Sequence, residues 1–379
     1  MSFSNLGLSK SLVKEIENQN YTTPTPIQAE AIPAIIDRKD VLGIAKTGSG
    51  KTASFVLPIL MNLQGAETDS NRHINVLVLV PTRELAIQVN EVFTSFASAM
   101  PNSPKTLAVF GGVSINTQIQ ELQNINVLVA TPGRLLDLTD ENAVKLSSVE
   151  VLVLDEADKM LNLGFKSEME EIYGLLPKNR QNVLFSATLN KNISNIKNII
   201  LNEPVVIKVK DENEGKELDQ IKQLAYLVEE NEKGPLLRHI IKSKKLKQVL
   251  IFASSLYKAD NIADKLRNHG IGAQAIHRKK SQAARTSALK IFKEGQLKVL
   301  VATDILSRGI DINELPCVIN YELPRSPKDY IHRIGRTGRA DANGEAISLI
   351  SPEDEQHFKV IQKKMGKWVN VIDSKNLDY

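Results

Sequence analysis

Two short stretches combine residue types suited to phosphate chemistry. Ala45 to Thr52 reads Ala-Lys-Thr-Gly-Ser-Gly-Lys-Thr, and His332 to Arg339 reads His-Arg-Ile-Gly-Arg-Thr-Gly-Arg. In the first, small residues let consecutive backbone N–H groups curve round phosphate oxygens, ahead of a helix expected over 52–63 that presents its positive end. Ala45, Thr47, Gly48, Ser49 and Gly50 would line this cradle, Lys51 would reach the β- and γ-phosphates, and the Thr52 hydroxyl would ligate magnesium. Alanine stands at 45 where such loops usually carry glycine, and Lys46 reads as a solvated side chain.

Carboxylates for the same reaction end an apolar run. Val151 to Asp158 is Val-Leu-Val-Leu-Asp-Glu-Ala-Asp, and acids at the carboxyl end of a parallel strand sit in the crevice where ligands bind. Asp155 suits magnesium held through water, and Glu156 suits a base that orients and deprotonates a water for in-line attack on a γ-phosphate. Taken alone, such acids serve equally well in a solvated loop or a helix cap; the upstream cradle favours the catalytic reading. Tyr21 to Gln28, Tyr-Thr-Thr-Pro-Thr-Pro-Ile-Gln, is held extended by its prolines, and the Gln28 amide can donate and accept as the N6 and N7 edge of adenine requires. ATP is therefore favoured over GTP. Tyr21 could stack on the base with Phe3 behind it, while a packing role explains both rings equally well.

In the second stretch Arg333, Arg336 and Arg339 recur every three residues, with Gly335 and Gly338 between them and no acid within the run. Such a run is usually a solvated face, but arginines mixed with glycines suit charge stabilisation on a transferring phosphoryl group. Arg336 and Arg339 are the expected fingers. His332 would link this segment to the magnesium-side acids. Val301 to Ile312 again follows a strand with polar groups: Thr303 for a nucleic-acid phosphate, Arg308 to brace a closed state, Asp311 for the ribose of ATP. Further phosphate contacts are expected from Pro81, Thr82 and Arg83, from Gly111 and Gly112, and from Thr131 and Arg134. Hydroxyls, backbone N–H groups and arginines grip a sugar-phosphate chain and read little base identity.

The elements that must position these residues recur in two series. Apolar, β-branched runs at 76–80, 127–130, 149–154, 183–185 and 205–209 alternate with helical stretches such as 85–96, as in a parallel sheet covered on both faces. Residues 210–217, Lys-Asp-Glu-Asn-Glu-Gly-Lys-Glu, offer no apolar anchor and read as a linker. Strands then resume at 224–228, 249–252, 273–276, 298–302, 318–320 and 346–350, with helices over 259–268 and 284–292. The expected organisation is thus a first α/β domain over 1–209 and a second over 218–379, which suits a chain of 379 residues. Residues 1–210 hold 19 Lys+Arg against 21 Asp+Glu, and residues 211–379 hold 29 against 23, so net charges of -2 and +6 put the basic bias in the second half. No apolar run approaches the ~20 residues that cross a bilayer, no secretory leader is evident, and a cytoplasmic protein is expected. The single Cys317 cannot form an internal disulfide and reads as a small buried hydrophobe in a strand.

Taken together these segments resemble the DEAD-box family of ATP-dependent RNA helicases, in helicase superfamily two. The likeness runs through Pro24 to Gln28, Ala45 to Thr52, Pro81 to Gln88, Gly111-Gly112, Thr131 to Arg134, Asp155-Glu156-Ala157-Asp158, Ser186-Ala187-Thr188, Val301 to Ile312 and His332 to Arg339. The resemblance implies two tandem RecA-like domains that bind ATP, Mg2+ and RNA cooperatively, with Ser186 and Thr188 coupling nucleotide state to strand separation. It also implies bending of the RNA backbone and local opening of a short duplex, with RNA preferred to DNA through its 2′-hydroxyls. Single-stranded or short duplex RNA is the expected partner, possible settings are ribosome assembly and mRNA decay, and no obligate oligomer is evident. An ATP-gated RNA clamp uses the same residues, and a DNA helicase is disfavoured. Two departures stand out: Lys46 where glutamine is frequent, and Arg278 where glycine is common. The pattern resembles the bacterial RhlE-like branch, without a long basic tail.

Overall fold

The computed structural model describes residues 2–46, 48–63, 73–100, 102–189, 191–209, 221–304, 315–337 and 344–377, without the side chains at 191, 192 and 195. The chain divides into two compact units, Met1–Lys210 and Asp211–Tyr379. The expected linker, 210–217, lies outside the described residues.

The first unit is built on seven strands: β1 Val41–Ile44, β2 Val76–Leu79, β3 Thr106–Val109, β4 Val127–Ala130, β5 Val151–Leu154, β6 Gln181–Ser186 and β7 Val205–Lys208. They form one sheet in the order β3-β4-β2-β5-β6-β1-β7, every neighbouring pair parallel. Strands β2, β4, β5 and β6 are buried along their whole length, because helices cover both faces. On one face Phe55, Phe93 and Phe185 pack with Val78 and Val153; on the other Leu135, Met160 and Ile172 pack with Leu77 and Leu152. A strand with two covered faces needs apolar side chains at every position, which is why these runs do not alternate.

The second unit repeats the plan with β8 Lys222–Leu227, β9 Val249–Phe252, β10 Ala273–Ile276, β11 Val299–Ala302, β12 Cys317–Asn320, β13 Glu345–Ile350 and β14 Asn370–Asp373. Its order is β10-β11-β9-β12-β13-β8-β14. Counted from each unit's own first strand, the two orders are identical, and all pairs here are parallel too. Parallel strands place all their carboxyl ends on one edge, so each unit gathers its strand-to-helix loops there.

Every expected strand is present, with ends shifted by no more than about two residues, but β1, β3 and β14 carried too little signal to be anticipated. Gly43 interrupts β1, and a Cβ there would collide with the Phe185 ring of β6, so packing requires the residue that weakens the pattern. β3 and β14 are sheet-edge strands whose side chains are largely half-buried or exposed. Among the described residues no helix is long and apolar enough to cross a membrane.

Candidate functional site

At the end of β1 the Ala45 N–H donates to the Ser186 carbonyl at 3.1 Å, so the chain leaves the sheet still joined to β6. Gly48 and Gly50 turn it through the left-handed region, φ 83° and 89°, into helix Lys51–Asn62. A Cβ at Gly50 would lie 2.5 Å from the Gln28 side-chain nitrogen, so only glycine fits both the backbone and the space. The Lys51 ammonium is buried and donates to the Ala45 carbonyl at 3.0 Å, curled back across the loop. Ser49 Oγ closes a tighter ring on the Lys46 carbonyl at 2.8 Å. Thr52 is half-buried in the first helical turn, and Thr47 lies outside the described residues.

The adenine-side segment is tied to this loop. Thr25 Oγ1 donates to the Ser49 carbonyl at 2.9 Å and Gln28 Nε2 to the Gly50 carbonyl at 3.1 Å, while Gln28 Oε1 accepts from the Thr25 N–H at 2.9 Å. Gln28 is only 1 % exposed. Its amide therefore braces the cradle, and one proton and one lone pair remain for a base edge. Tyr21 leans on Phe96 with ring centroids 6.1 Å apart and stays 37 % exposed. Phe3 is buried in the core, in keeping with the packing role left open for it. Lys46, expected to be solvated, is half-buried.

The acids stand on β5, two strands along the same edge. Asp155 and Glu156 are both buried, and Asp155 Oδ1 and Glu156 Oε2 are buried oxygens without a hydrogen-bond partner. Burial pushes the Asp155 carboxyl up to about 6, although the Lys51 ammonium pulls the other way. Glu156 takes φ 54°, a left-handed conformation uncommon for residues other than glycine. Its Oε1 accepts from Lys159 Nζ at 2.6 Å, which aims the other oxygen away from that pair. Two carboxylate oxygens left bare in a buried site beside a lysine-held loop fit a magnesium ion, which they would help to hold. Sequence reasoning assigned no role to Asp158. It accepts from the Ala187 N–H at 3.4 Å and the Thr188 hydroxyl at 3.2 Å, while Ser186 Oγ donates to the Thr188 carbonyl at 2.8 Å. The signal was available, since Asp158 and Thr188 follow adjacent strands.

The remaining half of this edge, β3-β4-β2, carries the expected nucleic-acid loops. Thr82 Oγ1 caps helix Arg83–Ala97 by accepting from the Leu85 N–H at 3.3 Å, a bond that does not use its own proton. Gly112, at φ 78°, leaves room that the Arg83 guanidinium fills: a Cβ there would collide with it. Arg83, Gly111 and Gly112 thus converge from β2 and β3, with Pro81 and Thr131 at neighbouring strand ends. Arg134, expected at a phosphate, is tied into the fold. It is 8 % exposed, and its guanidinium donates to Gln118 Oε1 at 2.7 Å, the Val113 carbonyl at 3.0 Å and Asp137 Oδ2 at 3.2 Å. With all three nitrogens engaged it braces the loop after Gly112, and two of its five N–H groups are not used in these bonds.

In the second unit Thr303 is buried at the end of β11. The adjacent Asp304 receives both Nε and Nη2 of Arg333, at 2.6 and 2.7 Å. Arg333 Nη1 donates to Asn320 Oδ1 at 3.0 Å and the Glu322 carbonyl at 2.7 Å, and the guanidinium lies 4.9 Å from the Phe252 ring centroid. The arginine run is therefore not uncompensated: Arg333 is the buried knot joining the ends of β9, β11 and β12, and local sequence could not show a partner 29 residues away. Arg336 is buried and His332 is exposed on helix Pro327–Ile334. Arg308, Asp311 and Arg339 lie outside the described residues. Cys317 is buried in β12, where burial pushes its thiol up to about 12.

A parallel sheet with a lysine-bearing glycine loop after its first strand, acids after its fifth, and a second unit of the same topology defines a tandem RecA-like nucleotide-binding protein. Residues 25–196 match the DEAD/DEAH box helicase model, and residues 232–341 match the helicase conserved C-terminal domain. The chain is 38 % identical to the DEAD-box ATP-dependent RNA helicase CshA of Bacillus cereus, over all of this chain and 70 % of that protein. To CshA of Geobacillus kaustophilus it is 39 % identical, over all of this chain and 79 % of the relative. Among solved structures, Saccharomyces cerevisiae Dbp5 bound to RNA and ADP BeF3 is similar with a TM-score of 0.83 at 30 % identity, covering 98 % of this chain and 95 % of that one. The chain belongs to the DEAD-box helicase family. The relatives carry CshA names, which does not single out the RhlE-like branch expected from the motifs.

Proposed function

We propose that this chain is an ATP-dependent RNA helicase in which RNA-stimulated ATP hydrolysis drives local opening of short RNA duplexes or remodelling of ribonucleoprotein. One observation carries the reading: the bare oxygens of Asp155 and Glu156 lie on the same sheet edge as the Lys51 loop, and the adjoining half of that edge holds Arg83 against Gly112.

The cradle N–H groups from Ala45 to Gly50 hold the phosphates, and Lys51 turns from the Ala45 carbonyl to the β- and γ-phosphates. Thr52 and Asp155 hold magnesium, which when bound offsets charge between the phosphates. Glu156 orients a water and takes its proton as the water oxygen bonds to the γ-phosphorus and the bond to the β-phosphate oxygen breaks. Arg336 and Arg339 offset the charge that builds on the transferred group, Asp311 holds the ribose, and Gln28 with Tyr21 receives the adenine. Pro81, Thr82, Arg83, Gly111, Gly112, Thr131 and Thr303 carry the RNA backbone. The Asp158–Thr188–Ser186 connection, with Arg308 and His332, relays the state of the nucleotide. For the branch, CshA-named relatives matching along the whole chain favour a CshA-like enzyme over an RhlE-like one. A cytoplasmic site of action, in ribosome assembly or mRNA decay, fits this activity.

The test compares ATP turnover with single-stranded RNA and with DNA of the same sequence. RNA should stimulate at least tenfold more strongly, and equal stimulation contradicts an RNA-directed enzyme.

A further inference from the structure

The chain contains one tryptophan, Trp368, and it is 72 % exposed. This exposure is built in. Helix Glu355–Met365 buries Phe358, Ile361 and Gln362 and ends at Gly366, φ 74°, whose N–H donates to the Gln362 carbonyl at 2.9 Å. The Gln362 side chain then accepts from the buried Val369 N–H at 2.7 Å. Trp368 is thus held between two anchored residues, on the outside of the turn.

The helix that precedes it is basic on its exposed side. The outward face of the helix carries Lys359, Val360, Lys363 and Lys364, with Val360 57 % exposed, and no Asp or Glu occurs between residues 359 and 372. Lysines in the last turn favour the helix dipole, which accounts for Lys363 and Lys364. It does not account for an indole kept in water, since an aromatic side chain of this size normally buries on the order of 200 Å². Trp368 precedes β14 and so lies at the amino-terminal edge of the second sheet, opposite the edge where Thr303 follows β11. It belongs to none of the loops assigned to the RNA backbone.

We infer that the Trp368 face is a second RNA site, which takes a single-stranded segment by stacking a base on the indole while Lys359, Lys363 and Lys364 neutralise neighbouring phosphates. An exposed indole that follows a helix with three exposed lysines on its outward face fits a polyanion whose units carry flat rings. The choice of RNA as that polyanion rests on the helicase reading. The site would hold a single-stranded flank while the main track works on the duplex, and it accounts for part of the basic bias of this half of the chain.

Because Trp368 is the only tryptophan, its emission reports on the site in the unaltered chain. Titration with a single-stranded RNA oligomer should quench it saturably. Lys359→Ala/Lys363→Ala should weaken that titration about tenfold and lower the slope of log affinity against log salt by ~1.4. Trp368→Ala should weaken binding of a long RNA about fivefold by anisotropy, Trp368→Phe should restore it, and RNA-stimulated turnover at saturating RNA should not change. Normal RNA stimulation with flat Trp368 emission overturns the second site alone. Loss of RNA stimulation in the unaltered chain removes the helicase reading and, with it, the choice of ligand. Equal quenching by base-free polyphosphate overturns the stacking claim, and stronger quenching by polyglutamate would assign the face to an acidic protein partner instead.

Discussion

The hydroxyl of Thr188 donates to Asp158 Oδ2 at 3.2 Å, joining the loop after β6 to the first turn of the helix that follows the catalytic acids of β5. On the proposed mechanism this bond would carry a displacement of the acids to Ser186-Ala187-Thr188, and the reverse. Thr188→Ala removes this link and no atom assigned to the phosphates. RNA-stimulated turnover should stay within about threefold, duplex displacement should fall at least tenfold, and Thr188→Ser should recover most of it. Equal loss of both activities would mean that Thr188 acts in hydrolysis itself.

Gly112→Ala tests the nucleic-acid edge separately from the nucleotide. The substitution puts a side chain at φ 78° and into the space of the Arg83 guanidinium. The RNA concentration for half-maximal stimulation should rise about tenfold with ATP binding unchanged, because the cradle lies on the other half of the sheet edge.

Arg83→Ala and Arg134→Ala should differ in kind. Removing Arg83 should lower the slope of log RNA affinity against log salt by ~0.7, the value for one contact on a single strand. Removing Arg134 should leave the slope alone but cost about 1–3 kcal/mol of stability, since Gln118 then loses a buried partner. Thermal unfolding and a salt series on the same two variants check both statements.

Arg333→Ala leaves Asp304, Asn320 and the Glu322 carbonyl without their shared donor. Arg333 is 2 % exposed and Asp304 31 %, so the loss should be about 1–3 kcal/mol; unfolding of the second unit should move down in denaturant, while nucleotide binding by the first unit persists.

Glu322 gives a pH signature. Burial raises its pKa, but hydrogen bonds from Lys258 and from the Ser254 side chain and backbone outweigh burial and hold it below the ordinary range. A depressed carboxylate contributes stability above its unfolded value, ~4.3, and that contribution is lost as pH falls through the lower folded value. Glu322→Gln should be less stable than the parent at pH 7, with the difference shrinking toward pH 3.

Much of this fold was legible because a strand buried on two faces has to be apolar throughout, and Val76–Leu79, Val127–Ala130 and Val299–Ala302 are. The cradle was legible for a similar reason: Gly48 and Gly50 are demanded by backbone geometry, which leaves a mark in local sequence. Partnerships across the fold left no such mark. Nothing near Arg333 in sequence points to Asp304, 29 residues away, and nothing near Arg134 points to Gln118 or Val113, 16 and 21 residues away. An arginine's function depends on what lies within ~3 Å of its guanidinium, and that is set by topology.

The most direct measurement follows displacement of a short RNA duplex beside RNA-stimulated ATP hydrolysis, on the same preparation, for the unaltered chain and for Glu156→Gln. The account predicts that the unaltered chain displaces the strand only with ATP, and that Glu156→Gln binds ATP and RNA but loses turnover at least a hundredfold. Hydrolysis without displacement would make the chain an ATP-gated clamp, and undiminished turnover in Glu156→Gln would contradict the assignment of the catalytic base.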